Sequence, residues 1–213
     1  MNDFLEYWKT SLGVKKKEEV VSALKSDSPV VEVFIDSVKL GNYDFEDKYF
    51  DELLDIRGID IQNENFDSCD LSYINFSYAT FVNCTFRKVN IFCSRLHKTN
   101  FIDCKFGSCS FDGVYGYEAN FSRCKIKKSS FNSCYFVRIK VDNSRILEAD
   151  FSSARLVSPV LLESIINTCD FSWARIAPTE SFVTSIKKYK ETINLSNLQW
   201  LEPNGMPIEN PII

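Results

Sequence analysis

Large apolar residues recur every five positions along most of this chain. From Ile56 the series runs through Ile61, Phe66, Leu71, Phe76, Phe81, Phe86, Ile91, Leu96, Phe101, Phe106 and Phe111, and it resumes from Phe121 to Ile176. Of 25 consecutive positions only Gly116 interrupts it. Two residues before each of these, most units hold a small residue, as at Cys69, Ala79, Cys84, Thr99, Cys104, Cys109, Cys169 and Ala174, and only Glu64 is charged there. The remaining three positions are mostly polar. Each unit therefore points two side chains inward, one large and one small.

A period of five fits neither the 3.6 of a helix nor the 2 of a strand. It requires a chain that turns a corner once per unit. Units such as Ala119-Asn120-Phe121-Ser122-Arg123, Ala149-Asp150-Phe151-Ser152-Ser153 and Cys169-Asp170-Phe171-Ser172-Trp173 resemble the pentapeptide-repeat family, whose units read approximately A(D/N)LXX. The resemblance covers residues 56–176 and implies an all-β solenoid: a right-handed quadrilateral parallel β-helix in which four units close one square coil. Coils stacked ~4.8 Å apart pair their backbones with the coils above and below. Each large residue then sits over its equivalent 20 residues away, and the narrow interior demands a small partner. The series amounts to about six coils and a rod about 30 Å long.

The sequence divides into an N-terminal helical cap over 1–29, a repeat body over 30–178 and a C-terminal helix and tail over 179–213. Ile35, Leu40, Phe45 and Phe50 keep the five-residue step in a register shifted by one and read as a first coil. Before them, Phe4, Leu5, Trp8, Leu12, Val20, Val21 and Leu24 mark one or two amphipathic helices, ended by Ser28-Pro29. After the body, Thr179 is placed to N-cap a helix carrying Phe182, Ile186, Tyr189 and Ile193, and Pro203-Asn204-Gly205 signals a turn. Either end serves as a cap over an otherwise open coil edge or as a homodimer surface.

Chemistry is sparse. Seven of the eight cysteines, all but Cys93, fall at the small inward position, where Cys is a compact apolar filler. There is no CxxC and a single histidine, so neither a metal site nor a cofactor site is expected. His97 falls at an outward position and reads as a surface residue. Nucleotide-binding, serine-hydrolase and zinc-protease motifs are absent, and no catalytic residue is assigned. No apolar run approaches the ~18–20 residues of a membrane span, and the N-terminus has no signal-peptide pattern, so the expected location is the cytoplasm. Gly116 is expected to leave a gap between Leu96 and Phe136 that a neighbouring side chain fills. Tyr115, Tyr117 and Tyr135 around it cover the defect or form a contact patch.

Net charge is −4 but uneven: residues 1–55 carry 13 acidic and 7 basic side chains, residues 56–176 carry 12 and 15. A fourfold coil sorts them into flanks. The first displays Arg87, Lys88, Lys105, Lys125, Lys127, Lys128 and Arg145. The second displays Asp70, Asp112, Asp150 and Asp170 with no base. The third carries Arg95, Lys98, Arg138, Arg155 and Arg175 with Tyr78, Tyr115, Tyr117 and Tyr135, and the fourth is mildly acidic. Repeat rods offer long regular surfaces, so the first reading is a non-catalytic interaction or scaffold protein with a protein partner. The family resemblance extends to the bacterial quinolone-resistance proteins. It implies a second reading, a DNA mimic that binds a type II topoisomerase such as DNA gyrase, with the aspartate flank standing in for phosphates. A third is nucleic-acid or acidic-partner binding by the basic flank.

Overall fold

The computed structural model describes residues 3–26 and 54–212. The expected first coil around Ile35, Leu40, Phe45 and Phe50 lies outside the described residues. The repeat body is a parallel β-solenoid of about seven turns. One flank stacks the strands Asp60–Gln62, Thr80–Val82, Asn100–Ile102, Asn120–Ser122, Lys140–Asp142 and Val160–Leu162, and the next stacks Asn65–Asp67, Thr85–Arg87, Lys105–Gly107, Lys125–Lys127, Arg145–Leu147 and Ile165–Asn167. The third is held by single bridges linking Asp70, Asn90, Ser110, Ser130, Asp150, Asp170 and Asn194. The fourth contains Tyr115–Tyr117, Tyr135–Val137, Arg155–Val157, Arg175–Ala177 and Gln199–Trp200.

Within the body every pairing joins a residue to the one 20 positions on, as in Phe81 with Phe101 and Ile126 with Ile146. Like therefore stacks on like. Phe86 and Phe106 lie 4.8 Å apart at 8° between planes, Phe111 and Phe131 4.6 Å apart at 4°, and Phe151 and Phe171 4.9 Å apart at 4°. Those spacings equal the coil repeat, so the aromatic columns and the backbone ladders reinforce one another. The small inward residues have a polar task as well. Thr99 Oγ1 donates to the Phe76 carbonyl at 2.8 Å, Ser144 Oγ to Phe121 at 3.1 Å and Cys104 Sγ to Phe81 at 3.4 Å. A small side chain ending in O–H or S–H reaches the carbonyl of the previous coil, which a larger one would overshoot. Glu64, the charged exception, sits near the first coil and pairs with Lys25 of the N-terminal helix at 2.5 Å.

The corners lie in the left-handed region. From Gly58 to Trp173 every fifth residue has positive φ, and apart from Gly58 and Gly113 none of them is glycine. That conformation costs an L-residue roughly 1 kcal/mol, a strain repeated at each corner and offset by the ladders on either side. At Gly116 a Cβ would lie 2.4 Å from two ring atoms of Phe136. The ring of the following coil thus fills the space that the missing side chain vacates.

The ends differ in construction. Helices α1 (Asp3–Tyr7) and α2 (Ser11–Leu24) bring Trp8, Val20 and Leu24 into the core, and Trp8 Nε1 donates to the Arg57 carbonyl at 2.7 Å. At the other end Thr179 N-caps α3 (Glu180–Tyr189), which buries Phe182 and Ile186. The helix packs on the last strands of two flanks while the chain beyond it resumes the other two, so Arg175 pairs with Gln199 and Asp170 with Asn194. Ile193 lies beyond the helix. The tail turns at Gly205 and returns to pair Leu201 with Pro207.

Candidate interaction faces

On the aspartate flank the carboxylates brace the turns. Asp70, Asp150 and Asp170 each accept through Oδ1 from the backbone N–H two residues on, at 3.0, 2.7 and 2.7 Å. Asn90, Ser110 and Asn194 do the same in their own coils, which is the turn-forming habit of Asx and Ser side chains. Asp112 accepts from the Asn132 N–H at 2.9 Å and from the Ser130 hydroxyl. Burial acts to raise the Asp170 carboxyl, but hydrogen bonds from Ser172 and Asn194 outweigh it and hold the group below its ordinary value. Asp150 and Asp170 occupy neighbouring rungs, whereas Asn90, Ser110 and Ser130 stand between Asp70 and Asp150. The four acids form no continuous row.

On the basic flank Lys105, Lys125 and Arg145 stack on three successive rungs. Like charges placed directly side by side oppose folding. Lys127 and Lys128 share Glu148 at 3.4 and 3.7 Å, Arg87 pairs with Asp67, and Lys88 occupies a corner. On the mildly acidic flank Arg123 meets Asp103 through two bonds of 2.8 Å.

The remaining flank is built from arginine and tyrosine. Arg95, Tyr115, Tyr135, Arg155 and Arg175 occupy one column over five successive rungs. The Arg95 guanidinium lies 5.8 Å from the Tyr115 ring, Tyr115 meets Tyr135 edge-on at 5.4 Å, and Arg155 lies 5.0 Å from the Tyr135 ring. Beside them Arg138 covers Tyr117 at 4.5 Å and bonds Glu118 at 3.4 Å. These are cation–π distances. Arg155 and Arg175 have no ion-pair partner among the described residues.

His97 departs from the surface position expected of it. It is 6% exposed, with Nε2 3.2 Å from the Tyr78 hydroxyl and its ring stacked on Tyr117 at 5.2 Å. Large rings on the neighbouring rungs close over an outward position. Burial, with Lys98 and Arg95 nearby, lowers its pKa to about 4.

A family profile described as pentapeptide repeats matches residues 94–132, in eight copies. The chain carries pentapeptide repeats. Solved structures similar to it include full-length QnrB1, a plasmid-mediated fluoroquinolone resistance protein, at 16% identity over 74% of this chain and 90% of that one, TM-score 0.43. Another is a pentapeptide-repeat protein from the Arabidopsis thaliana thylakoid lumen, at 11% identity over 62% and 77%, TM-score 0.40. A search of curated protein sequences gave no match.

Along the solenoid the cysteines at small inward positions are buried free thiols. Hydrogen bonding to the neighbouring thiol, with burial adding to it, raises the pKa of Cys84, and that of Cys104 reaches about 12. Among the described residues no group of three or more His, Cys, Asp or Glu is arranged to hold a metal, and no helix is long and apolar enough to cross a membrane. The interior holds a small cavity of about 30 Å³, walled by apolar side chains including Phe121, Val141, Leu161 and Phe182.

Proposed function

We propose that this protein is a non-catalytic docking rod that binds a protein partner through an outward flank. The observation that carries this reading is how the repeat spends its residues. Inward positions fill the core, corners are fixed in one backbone conformation, and the aspartate column braces turns. What remains is a set of outward columns in rigid register, a surface suited to recognition. The test is photo-cross-linking in the host, with a photoactivatable residue placed in turn at Gln62, Lys127, Ser152 or Arg155 on the four flanks and at Leu12 or Met206 on the ends. A discrete protein adduct confined to one surface is the expected result. No adduct from any of the six sites refutes the reading.

The second reading, a DNA mimic acting on a type II topoisomerase, is favoured by one feature. Asp150 and Asp170 stand on neighbouring rungs of a flank that carries no base. Against it, each spends an oxygen on its turn and the body as a whole is net positive. A gyrase supercoiling assay with and without a fluoroquinolone separates the two. Inhibition, or protection from the drug, that is lost in Asp150→Lys plus Asp170→Lys would establish mimicry, and no effect of the wild type would remove it.

A further inference from the structure

The charged flanks differ in how their charge is spent. Arg87 with Asp67, Arg123 with Asp103 and Lys127 with Glu148 join opposite charges across about one coil. Beyond the Asp55–Arg57 ion pair of its first coil, the Arg–Tyr flank carries five cations, Arg95, Lys98, Arg138, Arg155 and Arg175, against the single acid Glu118, and of these Arg95 is buried. Glu118 is taken by Arg138 at 3.4 Å and Lys98 at 3.9 Å. Arg155 and Arg175 sit side by side in register, exposed, with no carboxylate partner among the described residues. Two adjacent unpaired guanidinium groups weaken a sheet, so this arrangement costs the isolated rod stability.

Residue type distinguishes this flank from the other basic one. The flank of Lys88, Lys105, Lys125, Lys127 and Lys128 uses lysine, which is depleted in protein interfaces. Here the cations are mostly arginines lying along tyrosine rings, and Arg and Tyr are the residues that most often anchor interfaces. Stacking on Tyr117 and Tyr135 also restricts the Arg138 and Arg155 side chains before a partner arrives, so less rotamer entropy is left to lose on binding.

The rung spacing selects the shape of the partner. Cations on adjacent rungs are ~4.8 Å apart along the rod. Same-face side chains of an extended strand repeat every ~6.6 Å and fall out of step within two rungs. An α-helix rises ~1.5 Å per residue, so side chains at i and i+3 are ~4.5 Å apart along its axis and match one rung. From Tyr115 to Arg175 is three rungs, about 14 Å, or roughly 10 helical residues.

Building on the docking-rod reading, we infer that this flank binds an acidic amphipathic helix of a partner protein lying along the rod axis. Carboxylates at i and i+3 meet Arg175 and Arg155, and apolar side chains beyond them rest on Tyr135 and Tyr115. The probe is a blocked, fluorescein-labelled, alanine-rich peptide of roughly 16 residues. It carries Glu at i and i+3 and Leu at i+6 and i+10, and it is followed by fluorescence anisotropy beside an isomer of scrambled order. The expected outcome is saturable binding that weakens at least about tenfold in Arg155→Glu plus Arg175→Glu. The milder Arg155→Gln plus Arg175→Gln pair loses part of that, and Lys105→Glu plus Lys125→Glu on the opposite flank changes it by less than about threefold. The inference is overturned by equal binding of the scrambled isomer, by an equal loss in the Lys105/Lys125 variant, by tighter binding of a duplex DNA oligonucleotide of similar length, or by no peptide binding at all. If the peptide fails while cross-linking captures a partner from another surface, this inference falls and the docking rod stands. If no surface yields an adduct, the docking rod falls.

Discussion

Acidification unloads a defined amount of stability through His97. In the unfolded chain its imidazole has the ordinary pKa of 6.5, and in the folded protein burial lowers it to about 4. Tyr78 contacts one ring nitrogen and Tyr117 stacks on the ring. Lys98 and Arg95 disfavour a further positive charge, and Glu118 only partly offsets them. The unfolded state therefore takes the proton first. The stability tied to neutral His97 is complete above about pH 6.5 and drains away as pH falls toward 4. At about 1.4 kcal/mol per pH unit the whole effect approaches 3.4 kcal/mol, and about 2 to 3 kcal/mol of it is gone by pH 4.5. His97→Gln keeps a neutral side chain beside the Tyr78 hydroxyl but cannot titrate. Urea unfolding at pH 7.5 and 4.5 reads the difference, because the carboxylates contribute equally to both proteins. The wild type should lose about 2 to 3 kcal/mol more than the variant over that interval. His97 is the only histidine, so its NMR titration gives the folded pKa without assignment. Parallel pH dependence in the two proteins, or an imidazole titrating near 6.5, refutes the reasoning.

Gly116→Ala drives a methyl into the Phe136 ring, which is fully buried. Thermal unfolding should register a loss of about 1–3 kcal/mol, and an unchanged midpoint would show that the ring can retreat. Val141→Ile adds one methylene toward the apolar cavity of about 30 Å³ and should stabilise by about 0.7 kcal/mol; destabilisation in urea unfolding would mean the cavity is out of reach. A thiol-disulfide reagent at pH 8 should modify Cys93, which is partly exposed, and leave Cys104 and the other buried thiols untouched until the chain is unfolded. Rapid native labelling of more than one thiol would contradict the described core. Asp150→Asn keeps the Oδ1 acceptor for the Ser152 N–H and should leave stability within about 0.5 kcal/mol, whereas Asp150→Ala should cost about 1 kcal/mol. Equal losses in chemical denaturation would show that charge, not turn bracing, is what the fold uses there.

The repeat body was legible because its core depends on one number. A five-residue step and four units per coil fix a 20-residue offset, and that offset alone places Phe86 under Phe106 and Phe131 under Phe151. The corners were not legible. Their occupants, Tyr73, Lys88, Thr168 and Trp173 among them, share no chemistry that signals positive φ, because the ladders on both sides impose it. His97 was misplaced because pointing outward does not mean exposed when Tyr78 and Tyr117 flank it on neighbouring rungs. The aspartates carried a signal that charge sorting passed over. Their column reads Asp70, Asn90, Ser110, Ser130, Asp150, Asp170 and Asn194. The exchange of Asp for Asn and Ser marks a position that needs a hydrogen-bond acceptor rather than a negative charge.

That distinction also bears on where recognition can reside. In a stacked coil each side chain meets its equivalents one rung up and one rung down, so a column is stable when neighbours along it are compatible. Phe on Phe, Asp67 with Arg87 and Asn90 with Asp70 all satisfy that condition. Arg155 on Arg175, and Lys105 on Lys125 on Arg145, do not. Flexible, well-hydrated lysine side chains can splay apart in water, which makes the second violation cheap. Arginine held against Tyr135 at 5.0 Å has less freedom to do so. The costlier violation is therefore the more informative one: an incompatibility that the rod does not relieve within itself is relieved most directly by a carboxylate from outside.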